Sequence, residues 1–162
     1  MVNVKNILVP VSFAPSCGKA MEMAARIATV FMAKLYVLNV YKTPPRLFFS
    51  VGGVLFPKSM EQERAEHIGR LDEFVRREMK RLKLSIEVEE LEIEDKDPME
   101  TILNVAKEKK IDLIVLGHHE ETRLEHFLFG RNIHDIIDGA PCDVIVTRTH
   151  LYAKKAKELS AA

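Results

Sequence analysis

No stretch of this chain is long and apolar enough to span a bilayer. The first apolar run, Ile7-Leu8-Val9-Pro10-Val11, is too short even for the core of a signal peptide. A soluble, cytoplasmic protein without a membrane partner is therefore expected. Net charge is missing too: 24 lysines and arginines balance 24 aspartates and glutamates, so no overall field draws the chain to nucleic acid or anionic lipid. Cysteine is scarce. Cys17 and Cys142 stand far apart without CxxC or metal-ligand spacing, which fits a reducing compartment. Cys17 falls near a helix start, where a dipole lowers a thiol pKa, but nothing basic flanks a redox pair, and an inert small side chain is the favoured reading. No spacing joins Ser–His–Asp, Cys–His or two carboxylates, so no catalytic residue is assigned and no enzyme is expected. His118, His119, His126 and His134 are dense, but adjacent side chains diverge and a metal needs three or four convergent ligands, so no metal site is expected.

What is present is ordinary and well patterned. The 162 residues, 47% apolar and 30% charged, suffice for one domain with one sizeable core. Residues 4–11, apart from Lys5 and Asn6, and residues 112–116, after Asp112, are apolar without alternation, as strands buried on both faces are. Residues 34–40, 85–93 and 142–147 supply three more strands. Within 85–93 the alternation slips at Glu89-Glu90, which suggests a bulge. Helices are expected over 16–32, capped by Ser16, with Ala20, Met23, Ala24, Ile27, Val30 and Phe31 at helical spacing; over 59–82; from Asp97-Pro98 onward, with Asp97 as cap; and over 130–138, ended by Gly139-Ala140-Pro141. On the long helix, Glu66 with Arg70 and Glu73 with Arg77 read as i,i+4 pairs on a solvated face.

Strict alternation of strand and helix gives a parallel sheet with right-handed crossovers: an open, three-layer α/β fold of five strands. The two most apolar strands belong in the centre and the charged third strand at an edge, which gives the order 3-2-1-4-5. The last strand, Val144-Ile145-Val146, would be an unprotected edge that invites a second copy. Residues 1–148 form the domain, and 149–162 are a basic-leaning tail. Residues 41–57, inserted after strand 2, read as a long loop carrying Leu47, Phe48, Phe49, Val51, Val54, Leu55 and Phe56. It folds on its own domain, or serves as a lid or partner surface.

The order places a switch point between strands 1 and 4, where Pro10-Val11-Ser12 and Gly117-His118 emerge. Gly130 follows Gly117 by thirteen residues and precedes a helical pattern beginning Arg131-Asn132. Strand, glycine, loop, glycine and helix N-terminus is a layout that holds phosphate. At this point the chain resembles a universal stress protein, from Asn6-Ile7-Leu8-Val9-Pro10 through Leu38-Asn39-Val40 to Ala140-Pro141-Cys142-Asp143-Val144-Ile145-Val146. ATP-binding members carry G-x2-G-x9-G-(S/T) after strand 4. Here those positions are Gly117, Glu120, Gly130 and Arg131, with the spacing kept and two residues changed.

The resemblance implies a Rossmann-like, adenine nucleotide alpha hydrolase-like fold, a homodimer paired through strand 5, and a nucleotide crevice formed by Pro10, Val11, Ser12, Val40, Gly117, His118, Glu120, Gly130, Arg131 and Asn132. Ser12 stands where an aspartate contacts the ribose, and Val40 where backbone meets the adenine edge. A carboxylate at Glu120 facing phosphate costs on the order of 1 to 4 kcal/mol, and losing a hydroxyl at Arg131 about 1 kcal/mol. Glu120 and Arg131 are instead read as pairing with each other and filling the site. The first expectation is a non-enzymatic regulatory or interaction protein with no tightly bound cofactor. The alternatives are an ATP- or AMP-binding sensor, and an enzyme acting on a small phosphorylated metabolite.

Overall fold

Ile7, Leu8 and Val9 alternate between the two faces of a strand and are apolar on both, so they need cover on both sides. The computed structural model describes residues 3–41, 48–51, 54–57, 60–118 and 132–148, with backbone alone for 48–51, 54–57, 60–68 and 132. In chain order the elements are β1 (Asn6–Pro10), α1 (Pro15–Phe31), β2 (Lys34–Tyr41), β3 (Phe48–Val51), β4 (Val54–Pro57), α2 (Met60–Leu82), β5 (Val88–Glu94), α3 (Pro98–Glu108), β6 (Leu113–His118), α4 (Asn132–Gly139) and β7 (Asp143–Arg148). Five parallel strands form one sheet in the order β5-β2-β1-β6-β7, which is the expected 3-2-1-4-5. Among the described residues no helix is long and apolar enough to cross a membrane.

The three layers follow from strand periodicity. Ile7, Val9, Leu35, Val37, Leu113 and Val115 face α1 and α2, while Leu8, Leu38, Ile114 and Leu116 face α3 and α4. Helix α1 meets the sheet through Ala20, Ala24, Ala25 and Ala28, whose small side chains let its backbone sit close. Helix α3 is capped as expected: the Asp97 carboxylate accepts from Met99 N (3.0 Å) and Glu100 N (3.1 Å), and Pro98 occupies the first turn.

Several local expectations are corrected. Ser16 does not cap α1; the helix starts at Pro15 behind Ala14, which makes no side-chain cap bond, and Ser16 is buried. Proline fixes the helical φ and has no N–H to leave unsatisfied. Met23, Val30 and Phe31 are exposed rather than inward. Arg77 turns to Glu78 (3.3 Å), not to Glu73, and the Glu66 side chain lies outside the described atoms. Strand β5 contains no bulge. It pairs continuously with β2 from Leu35↔Val88 to Tyr41↔Glu94, so 88, 90 and 92 share one face and 89, 91 and 93 the other. Each face simply mixes glutamate with apolar residues. Glu89 is accommodated because Lys34 and Lys109 each approach it at 2.8 Å, and these ammoniums hold its carboxyl below the usual range. Residues 41–57 are not an irregular loop throughout: β3 and β4 pair antiparallel from Phe48↔Pro57 to Val51↔Val54. Their Phe, Val and Leu residues suit paired strands.

Candidate functional site

The strand order puts the topological switch point, and with it the candidate site, at the C-terminal ends of β1 and β6. Beyond β1 the chain stays tied to β2: Val11 N donates to Leu38 O (2.8 Å), and Val11 O accepts from Asn39 Nδ2 (2.8 Å). Asn39 is buried at 4% exposure, and its Oδ1 has no hydrogen-bond partner among the described residues. It clamps the strand end that leads into Ser12. Sequence reasoning missed it, although an amide inside the apolar run Leu38-Asn39-Val40 was a readable signal.

Ser12 turns inward. Its N–H donates to Cys17 Sγ at 3.3 Å, and its hydroxyl lies 3.7 Å from the same sulfur. Cys17 is buried at the start of α1. The next residue, Phe13, has φ 63°, a left-handed conformation that costs a non-glycine residue about 1–2 kcal/mol. Two contacts from α2 offset this cost: the Phe74 ring, edge-on at 5.9 Å, and the Arg70 guanidinium, 4.6 Å from the Phe13 centroid. Nothing in the local sequence signalled this stack.

Gly117 does not end its strand. β6 runs on through Gly117 and His118, which pair with Thr147 and Arg148. The glycine is demanded by contact: a Cβ there would stand 2.7 Å from Ser16 O, 2.9 Å from Ser16 C and 3.3 Å from Cys17 N. The first turn of α1 therefore lies directly on the end of β6. Ser12, Ser16, Cys17 and Gly117 are brought together by these contacts, with Pro10 and Val11 on the adjoining strand end. Val40, opposite Ile93, packs on the α3 and α4 side. His118 is half-buried. Asn132 opens α4, which Ile133 and Ile136 anchor in the core. Glu120, Gly130 and Arg131 lie outside the described residues, so the expected Glu120–Arg131 pair does too.

Two further features bound the chemistry. Among the described residues no group of three or more His, Cys, Asp or Glu side chains could hold a metal; His119 and His126 fall outside them. Cys142, remote from the crevice, has its thiol pushed up to about 11 by burial and by the neighbouring carboxylates of Asp143 and Asp112.

With this geometry in place, residues 3–148 match the sequence profile of the universal stress protein family. The chain is 26% identical over 158 residues to the universal stress protein MJ0577 of Methanocaldococcus jannaschii, spanning 91% of this chain and 96% of that protein. Its fold is similar to that of the universal stress protein UspA from Lactobacillus plantarum (TM-score 0.65, 25% identity, 91% of this chain and 100% of that one). It is also similar to a universal stress protein family member from Arabidopsis thaliana with AMP bound (TM-score 0.60, 18% identity, 91% and 94% covered). The family profile, covering all of the sheet and its four flanking helices, places this chain in the universal stress protein family.

Proposed function

We propose that this protein is a non-enzymatic, homodimeric regulatory or interaction module whose crevice does not hold ATP tightly. The observation that carries the reading is Ser12. At the position where the resemblance puts a ribose-binding carboxylate there is a hydroxyl, and both its oxygen and its N–H are turned toward Cys17 Sγ. A lone hydroxyl so engaged grips a ribose diol far less well than a carboxylate. Glu120 and Arg131 in the glycine-loop signature act in the same direction. The dimer forms through the open edge of β7, at Val144, Ile145 and Val146, and residues 41–57 offer a surface for a protein partner. The setting is cytoplasmic.

A second reading, an AMP- or ATP-sensing protein, draws on the retained Gly117 and Gly130 spacing and on the AMP-bound relative from Arabidopsis. Calorimetric titration with Mg-ATP and with AMP separates the two. The expected result is no saturable binding up to about millimolar nucleotide. Micromolar binding overturns the reading in favour of the sensor. In the variant Ser12→Asp, Glu120→Gly, Arg131→Ser, affinity should rise. A variant that still binds nothing would mean that these three residues are not what closes the site.

A further inference from the structure

Phe13, one residue past Ser12, belongs to a run of four side chains in the order Arg70, Phe13, Phe74, Arg77. The Arg70 guanidinium lies 4.6 Å from the Phe13 centroid, the two rings meet edge-on at 5.9 Å, and the Arg77 guanidinium lies 5.4 Å from the Phe74 centroid. The ends of this run differ. At the Arg77 end it is fixed. Phe74 is buried, and Arg77 Nε donates to Glu78 Oε1 at 3.3 Å. The buried Glu78 carboxylate also accepts from Arg81 Nε at 2.9 Å, and Arg81 reaches Glu22 of α1 at 3.3 Å. At the other end Phe13 is half-buried and Arg70 is exposed. Phe13 also carries the backbone cost, with φ 63°. A left-handed φ at a non-glycine residue costs about as much as one exposed cation–π contact and one edge-on ring pair return, so a change at Arg70 decides the balance.

We infer that the turn from Ser12 to Ala14 is a two-state latch on the candidate site, held shut by Arg70 of α2. In the shut state Ser12 N–H donates to Cys17 Sγ at 3.3 Å and the Ser12 hydroxyl stands 3.7 Å from that sulfur, so the turn lies over the thiol. Cys17 is accordingly 4% exposed. When the Arg70 guanidinium leaves the ring, Phe13 relaxes to negative φ. The Ser12 N–H and hydroxyl are then released toward the ends of β1 and β6, and the sulfur becomes accessible. Helix α2 thereby sets whether Ser12 is available to a ligand at the switch point. An exposed guanidinium is the component that an anionic group can draw off without disturbing the buried Glu78 anchor. The inference rests on the placement of the candidate site at the strand ends, but not on which ligand that site takes. Cys17 serves as the reporter of the turn, not as a reactive site.

The test is the rate at which Cys17 reacts with N-ethylmaleimide in the folded protein, in a Cys142→Ser background that leaves it the sole thiol of the chain. If Cys142→Ser fails to fold, Cys142→Ala replaces it. Rates are read in buffer and at low urea for this parent, for Arg70→Ala and for Arg76→Ala. The last variant loses an ion pair with Asp72 on the same helix, outside the run of four. Arg70→Ala is expected to label about two- to fivefold faster than the parent, the ratio that loss of one exposed cation–π contact gives. Arg76→Ala should label at the parent rate, and low urea should leave all three rates unchanged, as for a local opening. Equal rates in Arg70→Ala and the parent, or an equal rise in both arginine variants, overturn the inference. So does labelling that climbs steeply from the lowest urea, because Cys17 is then uncovered only by global unfolding. The nucleotide titration above succeeds or fails independently of this rate.

Discussion

Gly117 was legible as a glycine that mattered, but its reason was not. Read along the chain it looks like a turn residue. In the fold it lies within β6, where the first turn of α1 leaves no room for a Cβ. Gly117→Ala is expected to destabilise the protein by about 1–3 kcal/mol, because the obstructing atoms are backbone and neither element can yield easily; urea unfolding measures it. Phe13 gives an ordered pair of outcomes. Phe13→Ala keeps the left-handed strain and loses the contacts with Phe74 and Arg70, whereas Phe13→Gly loses the contacts and relieves the strain. The glycine variant should therefore be the more stable of the two by about 1 kcal/mol. Equal stabilities would mean that the turn relaxes once the ring is gone. A positive φ at an aromatic residue cannot be read from sequence, because the compensating partners come from a helix more than fifty residues away.

Among the elements, those with a single strong signal were readable. The Asp97-Pro98 start of α3 and the uninterrupted apolar strands formed as their local chemistry required. Strand β5 was misread as bulged because its glutamates were judged against one buried face, whereas the ion pairs that make room for Glu89 come from β2 and from the end of α3. That arrangement has a pH signature. With its folded-state pKa lowered by Lys109 and Lys34, Glu89 adds stability that is fully present above its unfolded value. This stability is lost as pH falls through the depressed folded value. Glu89→Gln should thus be less stable than wild type near neutrality by under about 1 kcal/mol, a modest effect because the site is partly solvated. The gap should close as both proteins are taken below about pH 4. A gap that is constant with pH would show that the ladder contributes packing rather than charge. Helix α1 shows the opposite kind of limit. Its apolar residues stand at helical spacing, but a helix with apolar residues on two flanks does not reveal which flank the sheet will take.

For the whole molecule, the dimer proposed above through the open edge of β7 makes a prediction: Ile145→Lys should shift the mass in sedimentation velocity toward monomer. An unchanged dimer would place the interface elsewhere. By itself the sequence determined the α/β alternation and the strand order, because both depend on local periodicity and on how much charge a strand can carry to an edge; the family was legible through the resemblance of its motif spacing from Gly117 to Gly130. It also singled out Ser12 and Gly117, which the fold sets at the ends of adjoining strands against the first turn of α1. Only the tertiary structure decided that Ser12 turns to Cys17, that Asn39 clamps the end of β1 and that Arg70 stacks on Phe13. The Ser12–Cys17 contact spans the turn between β1 and α1, whereas Asn39 with Val11 and Arg70 with Phe13 join residues distant in sequence, and no local pattern encodes their placement.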